Sequence, residues 1–185
     1  MRSLGVLLAA GASRRFGPED KLLAPYRGGA LVRSAATSLL GAGCDAVLAI
    51  VSSVDVAAAL PTGVEICSIA PGQPMAVSFH TAIDQAVARQ ARRLLICLGD
   101  MPNVKPALLR RLAAHDSSCA CQAGDIRTPP MLLAETDYAA ARASADGDRG
   151  ARQFLARLPP DTLIDVNPVE ILDIDRPADI TPASL

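Results

Sequence analysis

The chain has 185 residues, half of them apolar, with three Phe, two Tyr and no Trp. Its core must therefore be built from Leu, Ile, Val and Ala, the usual filling of helices packed on a parallel sheet. A net charge of −1 excludes a global field for nucleic acid or an anionic membrane, so an anion must be held by a local cluster.

No apolar run is long enough for a membrane span, and the N-terminus reads directly into a strand with no signal peptide. A cytoplasmic location is expected. Of the five cysteines, Cys44, Cys67 and Cys97 stand in or beside apolar runs and Cys119 and Cys121 form one Cys-x-Cys pair. With only two histidines, His80 and His115, reduced buried thiols are favoured over a zinc site.

Leu4 to Ala9 is a short apolar run with the length of a buried strand. It stops at Ala10-Gly11-Ala12-Ser13, and a turn follows at Tyr26 to Gly29. A helix is predicted from Leu31 to about Gly41, a strand from Asp45 to Val51, a short helix from Val54 to Leu60 and a third strand from Val64 to Ile69. This βαβαβ alternation implies parallel strands with right-handed crossovers. A helix over Met75 to Arg89, a strand ending at Leu98 and a helix from Pro106 to His115 continue the pattern. Beyond them, Ser118 to Ala123 is strand-like, and a short strand begins at Pro129. A helix runs from Ala151 to about Leu158, and Ile171 to Asp175 reads as a last short strand. The expected fold is one domain over residues 1–185, a three-layer α/β/α arrangement on a mostly parallel Rossmann-like sheet.

Three stretches carry chemistry. In the first, the small residues after Ala9 let backbone N–H groups approach a ligand, and Arg14, Arg15 and Lys21 supply charge for phosphate oxygens. The spacing fits neither a Walker A loop nor the G-x-G-x-x-G fingerprint, and a strand-to-helix loop with solvated arginines is the equally weighted alternative. In the second, Asp100 falls just beyond a central strand, where open α/β sheets bind ligands. A carboxylate there can hold Mg²⁺, or else cap the following helix. In the third, Asp146 to Arg152 offers a glycine turn, a helix start and Arg152, suited to an anion or to a helix capped by Asp148. Near the end, alternation puts Asp173 and Asp175 on one face, able to converge on a metal.

Leu8-Ala9-Ala10-Gly11-x-Ser13-x-Arg15-Phe16-Gly17-x-x-x-Lys21 resembles the LAAGxSxRMGxxK signature of the MobA-like nucleotidyltransferases. Phe16 replaces Met, and one extra residue precedes the lysine. Leu98 to Pro102 is similar to the family's LADxPxV with Gly99 for Ala, Gly147 to Arg152 to its GDxGaR, and Asp173 to Asp179 to its DIDTPxD with Arg176 for Thr. The AAG form is closest in kind to the molybdenum cofactor cytidylyltransferases. Two departures stand out. Pro74 occupies the place of a glycine before Ser78, with the usual asparagine absent, and Arg127-Thr128-Pro129 stands for Gly-His-Pro.

The resemblance implies a nucleotide-diphospho-sugar transferase type of fold and transfer of CMP from CTP to the phosphate of the molybdopterin-type molybdenum cofactor, with release of pyrophosphate. It puts Leu8, Ala9, Ala10, Gly11, Ser13, Arg15, Lys21, Ser78 and Asp100 around the nucleotide. Arg15 would hold the β/γ-phosphates, Lys21 the α-phosphate, and Asp100 and Asp175 a Mg²⁺ ion, with Asp173 in reserve. Asp148 and Arg152 would face the acceptor. A molybdoenzyme or its chaperone is the implied delivery partner. GTP, another phosphate acceptor such as a sugar phosphate, and a non-catalytic nucleotide- or cofactor-binding chaperone are the open alternatives.

Overall fold

The first strand, β1 (Ser3–Ala9), shows how the sheet is covered. Leu7 and Ala9 enter one core and Leu4 and Val6 another, because successive strand side chains point to opposite faces. The computed structural model describes residues 2–11, 16–17 and 19–180, the side chain of Asp148 excepted. After β1 come a 3₁₀ turn (Lys21–Leu23) and a hairpin of β2 (Pro25–Tyr26) and β3 (Gly29–Ala30). Next are α1 (Leu31–Leu40), β4 (Ala46–Val51), α2 (Val54–Ala59), β5 (Glu65–Ser68), α3 (Met75–Ala88) and β6 (Arg93–Leu98). The chain continues through α4 (Pro106–Ala113), β7 (Cys119–Ala123), β8 (Ile126–Ala134), α5 (Tyr138–Ser144), α6 (Arg152–Arg157) and β9 (Leu163–Asp165).

The main sheet has seven strands in the order β5-β4-β1-β6-β8-β7-β9. Every pairing is parallel except the two made by β8. Leu39 of α1, Val56 of α2 and Leu109 of α4 fill the core on one face. Phe79 of α3, Ala141 of α5 and Leu155 of α6 fill the other. The three-layer expectation therefore holds. The chain leaves β1 toward β4 and β5, then crosses by α3 to β6 on the other side of β1. Strand order reverses between β1 and β6, so their C-terminal ends open a crevice there.

Two expectations need correction. The strand beginning at Pro129 is instead the end of a nine-residue strand, β8. It forms a hairpin with β7 through Gly124 at φ 57°. Thr128 pairs with Cys121 and Met131 with Ala120, so Pro129 and Pro130 sit in the irregularity, where a residue without N–H breaks no ladder bond. Residues 171–175 form no strand either. Short 3₁₀ turns at Pro168–Ile171 and Pro177–Asp179 bracket them, and the Ile174 N–H makes a single bond to the Asp100 carbonyl at 2.9 Å. Helix α5 and the edge strand β9, paired parallel to β7, lie where the sequence pattern suggests no element.

Two stability predictions follow from local geometry. Phe79 is 1% exposed, and Phe79→Ala should cost about 3–5 kcal/mol in urea unfolding through lost burial and a residual cavity. The Asp45 carboxylate accepts the N–H groups of Arg2 and Ser3, each at 2.8 Å, at the start of β1. The Ser3 bond first, then the Arg2 bond, holds its pKa below the ordinary 3.8. Because the folded value is the lower one, this stabilisation is present above pH 3.8 and fades as pH falls through the folded value. Asp45→Ala should lower Tm at pH 7, and the gap to the unsubstituted protein should close in acid. A gap independent of pH would assign the effect to packing.

Candidate active site

The crevice between β1 and β6 is lined first by backbone. The Gly99 N–H bonds the Leu8 carbonyl at 2.9 Å, carrying the pairing one residue past β6. A Cβ at Gly99 would stand 3.2 Å from the Ala9 Cβ and 3.3 Å from the Leu22 Cδ2, so only glycine lets these segments meet without displacement. The Ser52 hydroxyl donates to the Ala10 carbonyl at 3.3 Å. Gly11 is exposed, with open space where a Cβ would be. Phe16, in the place of the family's methionine, packs against the core shared by α1 and α4. Ser13 and Arg15 lie outside the described residues.

Three charged side chains meet at the mouth of the crevice. The Lys21 ammonium donates to Asp100 Oδ2 at 2.6 Å and to Asp175 Oδ1 at 3.1 Å. Each is held by its own local device. Asp20 accepts the Leu22 N–H at 3.0 Å and caps the turn that carries Lys21. Asp179 accepts the N–H groups of Asp175 and Arg176 at 3.0 and 2.8 Å. The Ile174-to-Asp100 backbone bond ties the two acidic segments together. Sequence reasoning missed the supporting roles of Asp20 and Asp179; a side chain accepting from a nearby N–H is the signal it could have used.

The group is largely withdrawn from water, with the side chains of Lys21, Asp100 and Asp175 11%, 19% and 36% exposed. Burial opposes the Lys21 charge, but Asp100 and Asp175 outweigh it and the pKa lies above the ordinary lysine value. Burial pushes the Asp100 carboxyl above the usual carboxylate range, against the pull of Lys21, with nearby Asp173 adding to the rise. Among the described residues the Asp100 Oδ1 atom is buried and has no hydrogen-bond partner, a state that costs on the order of 1–3 kcal/mol. That orphaned oxygen, beside a second carboxylate, fits a hard divalent cation. Among the described residues no three His, Cys, Asp or Glu side chains group to hold an ion alone. An ion here would keep water or phosphate oxygens among its ligands, as Mg²⁺ does.

The helix-capping reading of Asp100 fails. The residue before α4 is Lys105, with no side-chain cap bond. Asn103, closer to the helix start in sequence, accepts the Tyr26 hydroxyl at 2.7 Å and donates to the Val169 carbonyl at 3.1 Å. Ser78 is buried in the first turns of α3. Its neighbour Thr81 donates back to the Val77 carbonyl, but among the described residues Ser78 makes no such bond. The 147–150 turn packs on the start of α3, where a Cβ at Gly150 would stand 3.1 Å from the Met75 side chain. The third motif is thus brought to the helix that carries Ser78. Arg152 is exposed at the start of α6, whose cap position is Ala151; the Asp148 side chain lies outside the described residues. Arg127 is committed elsewhere: its guanidinium donates to the carbonyls of Leu155, Ala156 and Leu158 at 3.2, 3.0 and 2.8 Å. A cation there suits the C-terminal end of α6.

Residues 5–162 match the model of the MobA-like NTP transferase domain. The chain is 30% identical over 167 residues to a protein of Paenarthrobacter nicotinovorans named nicotine blue oxidoreductase, spanning 84% of this chain and 82% of that one. A nucleotidyl transferase of Methanothermobacter superposes with a TM-score of 0.82 at 21% identity, over 96% of this chain and 94% of that one. A Mycobacterium tuberculosis protein, Rv0371c, superposes at 0.79 and 28% identity, over 97% and 96% of the two chains. A second structure of Rv0371c, described as a complex with manganese, superposes at 0.69 and 25% identity, over 90% and 88%.

Proposed function

Because the chain belongs to the MobA-like NTP transferase domain family, we propose that it transfers CMP from CTP to the phosphate of a molybdopterin-type cofactor. The observation that carries the reading is the meeting of Lys21, Asp100 and Asp175 at the β1/β6 crevice. In this reaction the acceptor phosphate attacks the α-phosphorus in line and pyrophosphate leaves. The protein's work is to position the reactants and neutralise charge, so no nucleophilic side chain is required. The turn after Ala9 would cradle the triphosphate, with Ser13 and Arg15 on its oxygens. Lys21 would steady the α-phosphate, and Ser78 would face the nucleoside. Asp148 and Arg152 would face the acceptor.

Asp100 and Asp175 would hold a divalent ion, with Mg²⁺ the proposed species. When bound, that ion would neutralise phosphate oxygens. The related structure described as a complex with manganese supports use of a divalent metal. Cytoplasmic residence and hand-over to a molybdoenzyme or its chaperone belong to the same proposal. Among the described residues no helix is long and apolar enough to cross a membrane.

Base choice is the point at which Gln73 and Pro74 depart from the family pattern. A site that bonds one base edge leaves buried groups unpaired when the wrong base enters. CTP is expected to exceed GTP in kcat/KM by at least roughly tenfold, equivalent to about 1.4 kcal/mol. Equal values, or a GTP preference, would reject cytidylyl transfer and keep the transferase. A second reading rests on the relative named as an oxidoreductase. Consumption of a reduced carrier, with no pyrophosphate released from any nucleoside triphosphate, would select it.

A further inference from the structure

Only two of the chain's 18 Lys and Arg residues are lysines, Lys21 and Lys105. Lys105 is exposed, whereas Lys21 is buried between Asp100 and Asp175. A chain that uses arginine almost everywhere else keeps the compact, flexible cation at this one interior position. Arginine's rigid fork suits a fixed pair, while an ammonium on a four-carbon stem can be handed from one partner to another.

Two demands compete at the clamp. The carboxylates that would take a divalent ion hold the Lys21 ammonium, and the same ammonium is the charge intended for the α-phosphate. While it donates to both acids, much of its charge is neutralised there rather than at a phosphate. The contact with Asp100 uses Oδ2 alone and, among the described residues, leaves Oδ1 buried without a partner, so lysine satisfies only half of the carboxylate. A divalent ion can engage oxygen from both acids and brings twice the charge. Asp175, the more exposed acid, marks the side open to solvent. The Asp100 carboxylate is too buried to be left without a cation, so departure of one requires arrival of the other.

We propose, on the transferase reading above, that Lys21 is the resident counter-cation of the Asp100–Asp175 clamp and is expelled by the incoming divalent ion. Metal entry and delivery of Lys21 to the phosphate are then one event. Without metal, Lys21 is locked away from the substrate.

The test needs no turnover. Amine acetylation followed by mass spectrometry compares Lys21 with Lys105 in the same molecules. Mg²⁺ alone should raise the acetylation rate of Lys21 relative to Lys105 by roughly tenfold, the factor equivalent to about 1.4 kcal/mol. In parallel, Mn²⁺ binding without nucleotide is followed by the loss of its free-ion EPR signal. Lys21→Met should bind Mn²⁺ at least several-fold more tightly than the unsubstituted protein, because the competing cation is gone. Unchanged protection of Lys21 in Mg²⁺ overturns the exchange, as does a Lys21→Met affinity no tighter than the original. If that variant fails to fold, the acetylation result on the unsubstituted chain decides alone. A protein that shows the exchange but releases no pyrophosphate keeps this inference and loses the transferase reading.

Discussion

Asp100→Asn should lower the rate of nucleotidyl transfer by roughly two orders of magnitude or more, the effect of losing a principal electrostatic group. The substitution preserves shape. It removes the charge that faces Lys21 at 2.6 Å and would hold the metal. The fold should survive, because the backbone carbonyl of Asp100, not its side chain, receives the Ile174 N–H that ties the acidic segments together. Steady-state pyrophosphate release, with circular dichroism to verify the fold, measures both effects. Near-normal turnover at saturating Mg²⁺ would remove Asp100 from the proposed metal site.

Lys21→Ala should act on a different parameter. The charge on the α-phosphate changes most in the transition state, so a cation reserved for it contributes to kcat more than to binding. A loss of about 10²-fold or more in kcat is expected, with KM nearly unchanged. Arg15→Ala should instead raise the KM for CTP, as expected of a group that holds the β/γ-phosphates equally in ground and transition states. Lys21→Ala also leaves the Asp100 carboxylate without its counter-charge, so both rates must be measured well below the variant's Tm. If both substitutions only raised KM, Lys21 would be a binding residue and the division between the two cations would be wrong.

The parallel half of the fold was legible because its signal is local. Leu4 to Ala9, Asp45 to Val51 and Arg93 to Leu98 are apolar runs of strand length, and the structure forms strands within all three. The second half was read less well. Ile171 to Asp175 alternates like a strand, yet turns opened by Pro168 and Pro177 flank it, and its Ile174 N–H bonds the Asp100 carbonyl beyond β6 rather than a strand of the sheet. Arg127 was read only as a departure from the family pattern. Its task on the carbonyls ending α6 involves residues about thirty positions away, beyond any local pattern.

By itself the sequence determined the family and the α/β class and proposed the chemical types at the site, because a glycine turn, a strand-end carboxylate and an acidic tail are each encoded over a few adjacent residues. Which of these groups meet was decided by the tertiary structure alone. Lys21 and Asp175 are 154 positions apart, and their contact depends on strand order, on the close approach at Gly99 and on one backbone bond from Ile174 to Asp100. The sequence reading assigned Lys21 to a phosphate and the acids to a metal. In the fold the ammonium also lies between those acids, because a carboxylate as buried as Asp100 requires a cation close by, and among the described residues Lys21 is brought there.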